Sequence, residues 1–362
     1  MCQIKFRPVL HQSSVPLYIQ IKEVIREAIV SGNLRSGQLV PSERQMCRIF
    51  DVSHISVRQA LVELTREGYL FRVPGKGTYV AESLSGWETK GQPIGVVIPS
   101  TNGGLTSPFI SDFLVGLKKV ATKAGLDVLL YTDVEETYFH PRKIGQLQGI
   151  ILTEPHFSDK RITKLRKTGL PMVVVGRTEE EGVYTVDADH RRIFQMLTEY
   201  LLKLGHRQIG FINGPAVLTV SADKLQGYQQ ALKKYRVSFD QKLVRYGPFS
   251  EESGYQNAKK LLGYPITALV CGDDFISVGA LRAIREKKLR VPEDISLCGC
   301  HNSSFTQHTI PSLTTADIFA SLLGEKAGEK LLRRLNNEEV ETRTVIQGKL
   351  IIRESTQEVK KK

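Results

Sequence analysis

The stretch PLYIQIKEVIREAIVSGNLRSGQLVPSERQMCRIFDVSHISVRQALVELTREGYLFRVPGKGTYV, residues 16–80, decides the fold of the N-terminal part of the chain. Near its start, apolar residues recur at i, i+3, i+4, i+7 and i+8: they are Ile21, Val24, Ile25, Ala28 and Ile29. This spacing places all of them on one face of a helix. The stretch therefore begins with an amphipathic helix.

Two further helices have start signals of their own. Ser42 can cap a second helix and Gln45 can return the bond as a capping box, while Ser53 can cap a third helix. The third helix has an apolar stripe of Val57, Ala60, Leu61 and Leu64. Two short strand-like runs follow, residues 69–73 and 78–81, joined by Pro-Gly-Lys-Gly. The pattern predicts three helices and a hairpin.

The outward side of this unit has the side chains needed to bind DNA. With the apolar stripe turned inward, the exposed residues near the start of the third helix are Ser53, His54, Ser56 and Arg58. The N-terminal end of such a helix fits the major groove, where Arg binds guanine or phosphate and Ser binds phosphate. The hairpin tip, Gly75 and Lys76, is slim enough to approach the minor groove. These residues alone leave structural alternatives open: Ser53 can be a simple helix cap, Gly75 an ordinary turn residue, and Arg58 a solvated surface residue.

The whole stretch resembles the winged helix-turn-helix of the GntR family of bacterial regulators. The resemblance is carried by PLYIQI, SGNLRSG, PSER, VSHISVRQALVEL and GKGTYV, in that order. It implies that Arg44, Ser53, His54, Arg58 and Gly75 contact DNA, and Ser56 and Lys76, selected from the residues themselves, complete the set of expected DNA contacts. The family usually has Arg where this chain has His54, so an altered base preference is expected at one operator position.

Downstream of a polar segment, residues 83–93, the pattern changes to short apolar runs separated by helical segments. The runs are IGVVIP (94–99), LDVLLY (126–131), GIIL (149–152), MVVVG (172–176), IGFI (209–212), ALVC (268–271) and ISLCG (295–299). Continuous apolar strands that alternate with helices are typical of parallel sheets covered on both faces. A doubly wound α/β unit of two lobes is predicted.

Polar residues follow the carboxyl ends of several of these strands. They include Thr153, Glu154, Arg177, Asn213, Asp273, Asp274, His301 and Asn302. Ligands of open α/β sheets bind beyond such strand ends, and this set of donors and acceptors suits a hydroxyl-rich molecule. Structural roles remain open, since Asp273 or Asp274 can cap a helix and Arg177 can pair with a surface acid.

Enzyme, metal and membrane signatures are absent from the sequence. It has no phosphate-binding loop, dinucleotide fingerprint, HExxH or GxSxG motif. His206 is interpreted as structural, and the five Cys lack a CxxC pair, which argues against disulfides and zinc and favours a reducing cytoplasm. No apolar run approaches the ~20 residues of a membrane span. The net charge of +12 over 362 residues is compatible with nucleic-acid binding. We expect no enzyme activity, cofactor or metal, and a cytoplasmic protein.

Residues 94–357 resemble the LacI-type sugar-sensing domain, which is built like periplasmic binding proteins. The resemblance is carried by IGVVIP, PMVVVGR, VDADHRRIFQMLTEYLLKLGHRQIGFINGP, KLQGYQQAL, GDDFISVGALRAIREKKLRVPEDISLCG, PSLTT and IIRES. It implies an effector bound between two lobes by Phe109, Arg177, Lys224, Asp273, Asp274 and His301. Lys224 stands where Arg is usual, Asp273 where Asn is usual, and His301 where an acid is usual, so the resemblance does not name the effector.

Together these resemblances predict an α+β winged helix-turn-helix in residues 1–82, a linker in 83–93, and an α/β two-lobed domain with parallel sheets in 94–357. The combination is similar to the arabinose-repressor type of regulator. It implies a dimeric transcription regulator, most simply a repressor of carbohydrate-utilisation genes, that binds double-stranded operator DNA and a small sugar. The alternatives are a lobed domain that responds to a protein partner or a non-sugar metabolite, and a fused enzyme.

Overall fold

The computed structural model describes residues 6–11, 13, 15–30, 33–35, 37–67, 69–81, 92–98, 104, 107–132 and 144–359. The chain divides into two compact units, residues 1–89 and residues 90–362. Most of the predicted linker lies outside the described residues, so the predicted domain boundaries stay predictions.

The N-terminal unit is a small helical core with one hairpin. Its elements are α1 (Leu17–Val30), α2 (Glu43–Phe50), α3 (His54–Arg66), β1 (Leu70–Val73) and β2 (Gly77–Val80). The predicted stripes are confirmed, because Ile21, Val24, Ile25 and Ala28 of α1 lie in one buried cluster with Val57, Ala60, Leu61 and Leu64 of α3. The antiparallel strands pair Leu70 with Val80 and Val73 with Gly77. This packing turns the other face of α3 toward solvent.

The C-terminal unit alternates strands and helices. In chain order its elements are β3 (Ile94–Ile98), α4 (Pro108–Ala124), β4 (Val128–Thr132), β5 (Gly149–Thr153), α5 (Lys160–Lys167), β6 (Met172–Val175), β7 (Tyr184–Ala188), α6 (His190–Lys203), β8 (Ile209–Asn213), α7 (Thr219–Lys234), β9 (Val244–Tyr246), α8 (Glu251–Leu261), β10 (Ala268–Cys271), α9 (Asp274–Glu286), β11 (Ser296–Cys298), β12 (Thr315–Asp317), α10 (Ala320–Leu335), β13 (Arg343–Ile346) and β14 (Lys349–Ile351).

Two parallel sheets form the two lobes. The first has the strand order β13-β7-β6-β5-β3-β4, and the second has the order β11-β10-β8-β9. The described chain passes between the lobes after β7, after β12 and after β13, where β14 joins β12 in a small antiparallel pair. These connections place the carboxyl ends of both sheets around a shared cleft.

Two details of the predicted sheets are wrong. Strand β4 is not covered on both faces, because it lies at the sheet edge and leaves Leu129 39% and Leu130 42% exposed. The apolar runs also missed five strands, which are β7, β9, β12, β13 and β14. These strands are short or carry polar residues such as Asp187 and Asp317, so they lack a continuous apolar run.

Close packing of α8 against α9 depends on glycine. A Cβ at Gly279 would lie 1.9 Å from the carbonyl oxygen of Glu251 and 2.6 Å from the backbone nitrogen of Tyr255. We expect Gly279→Ala to lower the free energy of unfolding by about 1–3 kcal/mol, the cost of overpacking, as measured by urea denaturation. Gly263→Ala is the control, since its nearest contact would be 3.3 Å away. Equal stability of the two variants would contradict this account of the α8–α9 contact.

Candidate functional sites

The starts of α2 and α3 are fixed by hydrogen bonds that the sequence predicts. In the capping box of α2, the backbone nitrogen of Ser42 donates to Gln45 Oε1 at 2.8 Å, and the backbone nitrogen of Gln45 donates to Ser42 Oγ at 3.3 Å. Ser53 Oγ caps α3 by accepting from the backbone nitrogen of Ser56 at 3.4 Å. Both predicted caps are confirmed. They orient α2 and α3 as the two helices of a helix-turn-helix.

All the predicted DNA contacts lie at the surface of the N-terminal unit. Arg44, Ser53, His54, Arg58, Gly75 and Lys76 are exposed and Ser56 is half-buried. Arg58 lines a groove with Glu43 of α2 and with Arg72 and Thr78 of the hairpin. The structure therefore brings α2, α3 and the hairpin together around Arg58. Arg72, which the sequence reasoning did not select, adds a second guanidinium to that groove.

His54 has a partner that the sequence reasoning missed. Its Nε2 lies 2.8 Å from Glu43 Oε2, which joins the first turns of α2 and α3. The imidazole is thus tied to the protein while it remains exposed to solvent.

We expect His54→Arg to change the preferred base at one position of each half-site. Arg binds guanine through two hydrogen bonds, and each good pair discriminates by about 1–3 kcal/mol. Selection of operators from a randomised pool, compared between the two proteins, measures this. An unchanged operator profile would show that residue 54 does not contact a base.

In the C-terminal unit, a cavity lies between the two lobes. It encloses about 570 Å³, part of it open to solvent. Four of the predicted effector residues line it: Phe109, Lys224, Asp273 and His301. Phe109 comes from α4 of the first lobe, Lys224 from α7 and Asp273 from the start of α9 in the second lobe. A molecule in this cavity would touch both lobes.

Lys224 is the cation of the cavity and is almost completely buried, with 1% of its surface exposed. Its Nζ donates to the carbonyl oxygen of Gly272 at 2.8 Å and lies 4.5 Å from the centre of the Phe249 ring. Burial lowers the pKa of Lys224, and nearby acids including Asp273 oppose that effect. A buried ammonium with one hydrogen bond retains donors for a ligand hydroxyl or anion.

The adjacent carboxylates Asp273 and Asp274 have different positions. Asp273 lines the cavity and also caps α9, because its Oδ1 accepts from the backbone nitrogen of Ile276 at 2.7 Å. Capping α9 therefore does not prevent Asp273 from also lining the cavity. Asp274 does not line the cavity: its carboxylate accepts from the backbone nitrogen of Ser303 at 2.7 Å and from Thr315 Oγ1 at 2.8 Å. Asp274 ties β12 and the segment after His301 to α9.

His301 adopts a left-handed backbone conformation, with φ of 106°, and follows the last residue of β11 by three positions. Its ring lies 5.7 Å from that of Phe109, which joins the two lobes across the cavity. Burial holds the pKa of His301 well below its usual range, and the charge of Lys224 lowers it further. The imidazole is therefore neutral and offers one donor and one acceptor.

Arg177 does not line this cavity but lies beside it. Its Nε donates to Asp223 Oδ2 at 2.8 Å. Arg177 thus pairs with an acid, which the sequence left open as the alternative to an effector contact. The pair joins the lobes, because Arg177 follows β6 and Asp223 belongs to α7. The acid is buried rather than on the surface.

Several residues that line the cavity were not identified from the sequence, among them Asp187, His190 and Phe249. His190 Nε2 lies 3.6 Å from Asp187 Oδ1, and its buried Nδ1 has no hydrogen-bond partner among the described residues. Burial, aided by Lys224 and His301, holds the pKa of His190 well below its usual range. The sequence VDADH could have indicated two of them, because it reads as a strand followed by a capped helix. That pattern places Asp187 and His190 at the carboxyl edge of the sheet, as it does the residues that were selected.

Asp187 predicts a pH dependence of stability. Burial raises its pKa from 3.8 to about 7, reinforced by the Asp223 carboxylate and opposed by Arg343 and Arg177. The folded chain thus holds a proton that the unfolded chain releases, so this residue costs stability increasingly as the pH rises through that window. We expect Asp187→Asn to be more stable than the parent protein above pH 7 and the difference to shrink toward pH 4, as measured by thermal melting. Parallel melting profiles would contradict this.

The remaining candidate groups are structural. His206 Nδ1 lies 2.9 Å from Thr267 Oγ1, and its Nε2 lies 3.1 Å from both Ser296 Oγ and the Gln357 carbonyl, which confirms its structural interpretation. Cys298 and Cys300 are fully buried packing residues. Within the described residues no cluster of His, Cys, Asp and Glu could hold a metal. No helix there is long and apolar enough to cross a bilayer.

Comparison with known families matches both units. The model of bacterial regulatory proteins of the gntR family matches residues 17–80, and the model of the periplasmic binding protein-like domain matches residues 198–356. A helix-turn-helix joined to such a two-lobed domain defines a DNA-binding transcription regulator and not an enzyme.

Individual proteins agree with this class. The HTH-type transcriptional regulator CelR of Thermobifida fusca is 30% identical over 72% of this chain and 80% of its own length. The arabinose metabolism transcriptional repressor of Geobacillus stearothermophilus is 27% identical over 97% of this chain and 100% of its own length. The solved structure of the CelR–cellobiose complex matches with a TM-score of 0.69 at 28% identity, over 86% of this chain and 94% of that one. The chain belongs to the same family of HTH-type transcriptional regulators as CelR, and it carries a gntR-family DNA-binding domain and a periplasmic binding protein-like domain.

Proposed function

We propose that this protein is a dimeric repressor of carbohydrate-utilisation genes whose operator affinity changes when a small carbohydrate binds between the two lobes. The observation that carries the proposal is the cavity, whose lining combines Phe109 and Phe249 with the polar residues Lys224, Asp273 and His301. A carbohydrate presents both apolar ring faces and hydroxyl groups that donate and accept. Mostly apolar cavities with a few convergent polar groups are typical ligand sites.

The DNA-binding half of the proposal relies on Arg44, Ser53, His54, Ser56, Arg58, Gly75 and Lys76 as operator contacts. In a dimer, two copies of α3 would enter successive major grooves of a near-palindromic site. The related proteins support both halves: one is a repressor of arabinose metabolism and another was solved with cellobiose.

Contacts across the cleft provide a means by which a bound ligand can change the arrangement of the two lobes. The Arg177–Asp223 ion pair and the bond from Thr219 Oγ1 to the Arg177 carbonyl, at 2.7 Å, join the first lobe to α7. The backbone nitrogen of Phe157 also donates to the Val217 carbonyl at 3.1 Å. A ligand that prefers one arrangement of these contacts shifts the population of the two lobe arrangements. A coupling of about 1–3 kcal/mol changes operator affinity by about 5- to 150-fold.

Thermal melting of the full chain against a panel of pentoses, hexoses, disaccharides and their phosphates tests the proposal. A ligand at 100 times its dissociation constant adds about 2.7 kcal/mol to stability. Any carbohydrate that raises the melting temperature is then expected to alter the gel shift of DNA from upstream of the gene. If no carbohydrate shifts melting, the sugar-sensing proposal fails and a lobed domain that responds to a protein or a non-sugar metabolite is favoured.

A further inference from the structure

A second recess lies beside the effector cavity and shares two lining residues with it, Asp187 and His190. We call it the mouth. It encloses about 1100 Å³, including open solvent, and its other lining residues are mainly Arg177, Asp189, Arg191, Asp223, Arg343 and Gln347. In contrast to the cavity, the mouth has almost no aromatic surface.

Three guanidinium groups from three different elements converge on the mouth. Arg177 follows β6, Arg191 lies in the first turn of α6, and Arg343 begins β13. Arg177 and Arg343 belong to the first lobe and Arg191 to the second. A group bound by all three would therefore join the lobes, as the effector itself is proposed to do.

The carboxylates around the mouth pair with two of these arginines. Asp223 pairs with Arg177 Nε at 2.8 Å and with Arg191 at 3.4 Å, and Glu179 lies 3.9 Å from the Arg177 guanidinium. Among the described residues no carboxylate forms an ion pair with Arg343. Asp189 serves as the cap of α6, accepting from the backbone nitrogen of Arg192 at 3.0 Å and from the Gln347 amide at 3.3 Å.

Two further features increase the positive potential of the mouth. Burial raises the pKa of Asp187 to about 7, so this carboxyl carries only part of a negative charge at neutral pH. The 14-residue helix α6 begins at the mouth, and the N-terminal end of a helix carries a partial positive charge. The site thus presents guanidinium donors, among them those of Arg343, next to the cavity proposed for the sugar ring.

We propose that the mouth binds an anionic substituent of the effector, a phosphate or a carboxylate, while the carbohydrate ring occupies the cavity. This inference rests on the proposed carbohydrate-sensing function. Guanidinium groups bind both anions through paired hydrogen bonds, and Arg343 and Arg191 have nitrogen donors free of tight ion pairs. The substrate class is then an acidic or phosphorylated carbohydrate, in place of a neutral one.

Paired ligands test this inference with the full chain. Isothermal titration compares glucose with glucose 6-phosphate and glucuronate, and arabinose with arabinose 5-phosphate, with inorganic phosphate as a separate arm. We expect an anionic member to bind at least tenfold more tightly than its neutral parent. Arg343→Gln is expected to reduce that difference about tenfold, since it removes a charged hydrogen-bond donor.

Arg285→Gln is the matched control, because this exposed arginine of α9 lines neither the cavity nor the mouth. Neutral sugars that bind as tightly as their anionic forms would overturn the inference and leave the proposed function intact. Absence of binding by both kinds of carbohydrate would instead refute the proposed function. An anion that binds equally well to the parent protein and to Arg343→Gln would show that the mouth does not select it.

Discussion

Replacing Arg58 with alanine is expected to abolish specific operator binding while leaving the C-terminal unit fully responsive to its ligand. Arg58 is exposed on α3 and borders the groove formed with α2 and the hairpin. A bidentate arginine contact discriminates by about 1–3 kcal/mol, and a two-fold operator uses it twice. Operator affinity should therefore fall by about 30-fold or more, as measured by fluorescence anisotropy at fixed salt.

A control separates DNA contact from folding. Arg66→Ala changes an exposed arginine at the other end of the same helix and should reduce operator affinity only slightly. The melting shift caused by the ligand should be the same in both variants and in the parent protein. If Arg58→Ala also lost that shift, Arg58 would be a structural residue.

Replacing Lys224 with methionine is expected to have the opposite effect: operator binding remains and the ligand response is lost. The Lys224 ammonium is the buried cation of the cavity and has one hydrogen bond, to the Gly272 carbonyl. Loss of a hydrogen bond to a charged group costs about 1.5–3 kcal/mol, which weakens ligand binding by about 100-fold. At a concentration that stabilises the parent protein by about 2.7 kcal/mol, the variant should gain only about 0.4 kcal/mol.

Lys330→Met is the matched control for this variant. Lys330 is also buried and donates to backbone carbonyls, of Thr185 at 3.0 Å and of Glu341 at 2.8 Å, but it does not line the cavity. Its replacement should lower stability without removing the ligand-induced shift. If both lysine variants lost the shift, the effect of Lys224→Met would be a general consequence of removing a buried lysine.

The sequence predicted the N-terminal unit almost completely, because its signals are local. The caps at Ser42 and Ser53 and the stripe from Val57 to Leu64 depend on spacings within one helix. The pairing of His54 with Glu43 was not predictable, since it depends on how α2 packs against α3.

The site in the C-terminal unit was predicted in part. Phe109, Lys224, Asp273 and His301 line the cavity as the resemblance implied, whereas Asp274 and Arg177 bind other protein groups. The residues that sequence reasoning missed come from elements without an apolar signature. Asp187 lies in β7, a strand that alternates polar and apolar residues, and Phe249 follows the three-residue strand β9. Only the folding of both lobes brings them to the same cleft.

The central claim is that occupancy of the cavity between the lobes changes affinity for DNA. The most direct test measures the operator dissociation constant of the full chain with and without a saturating concentration of the carbohydrate that shifts its melting. The account predicts that the carbohydrate changes the operator dissociation constant of the parent protein by about 5- to 150-fold and leaves that of Lys224→Met unchanged. A carbohydrate that raises the melting temperature but leaves the operator dissociation constant unchanged within twofold would contradict it.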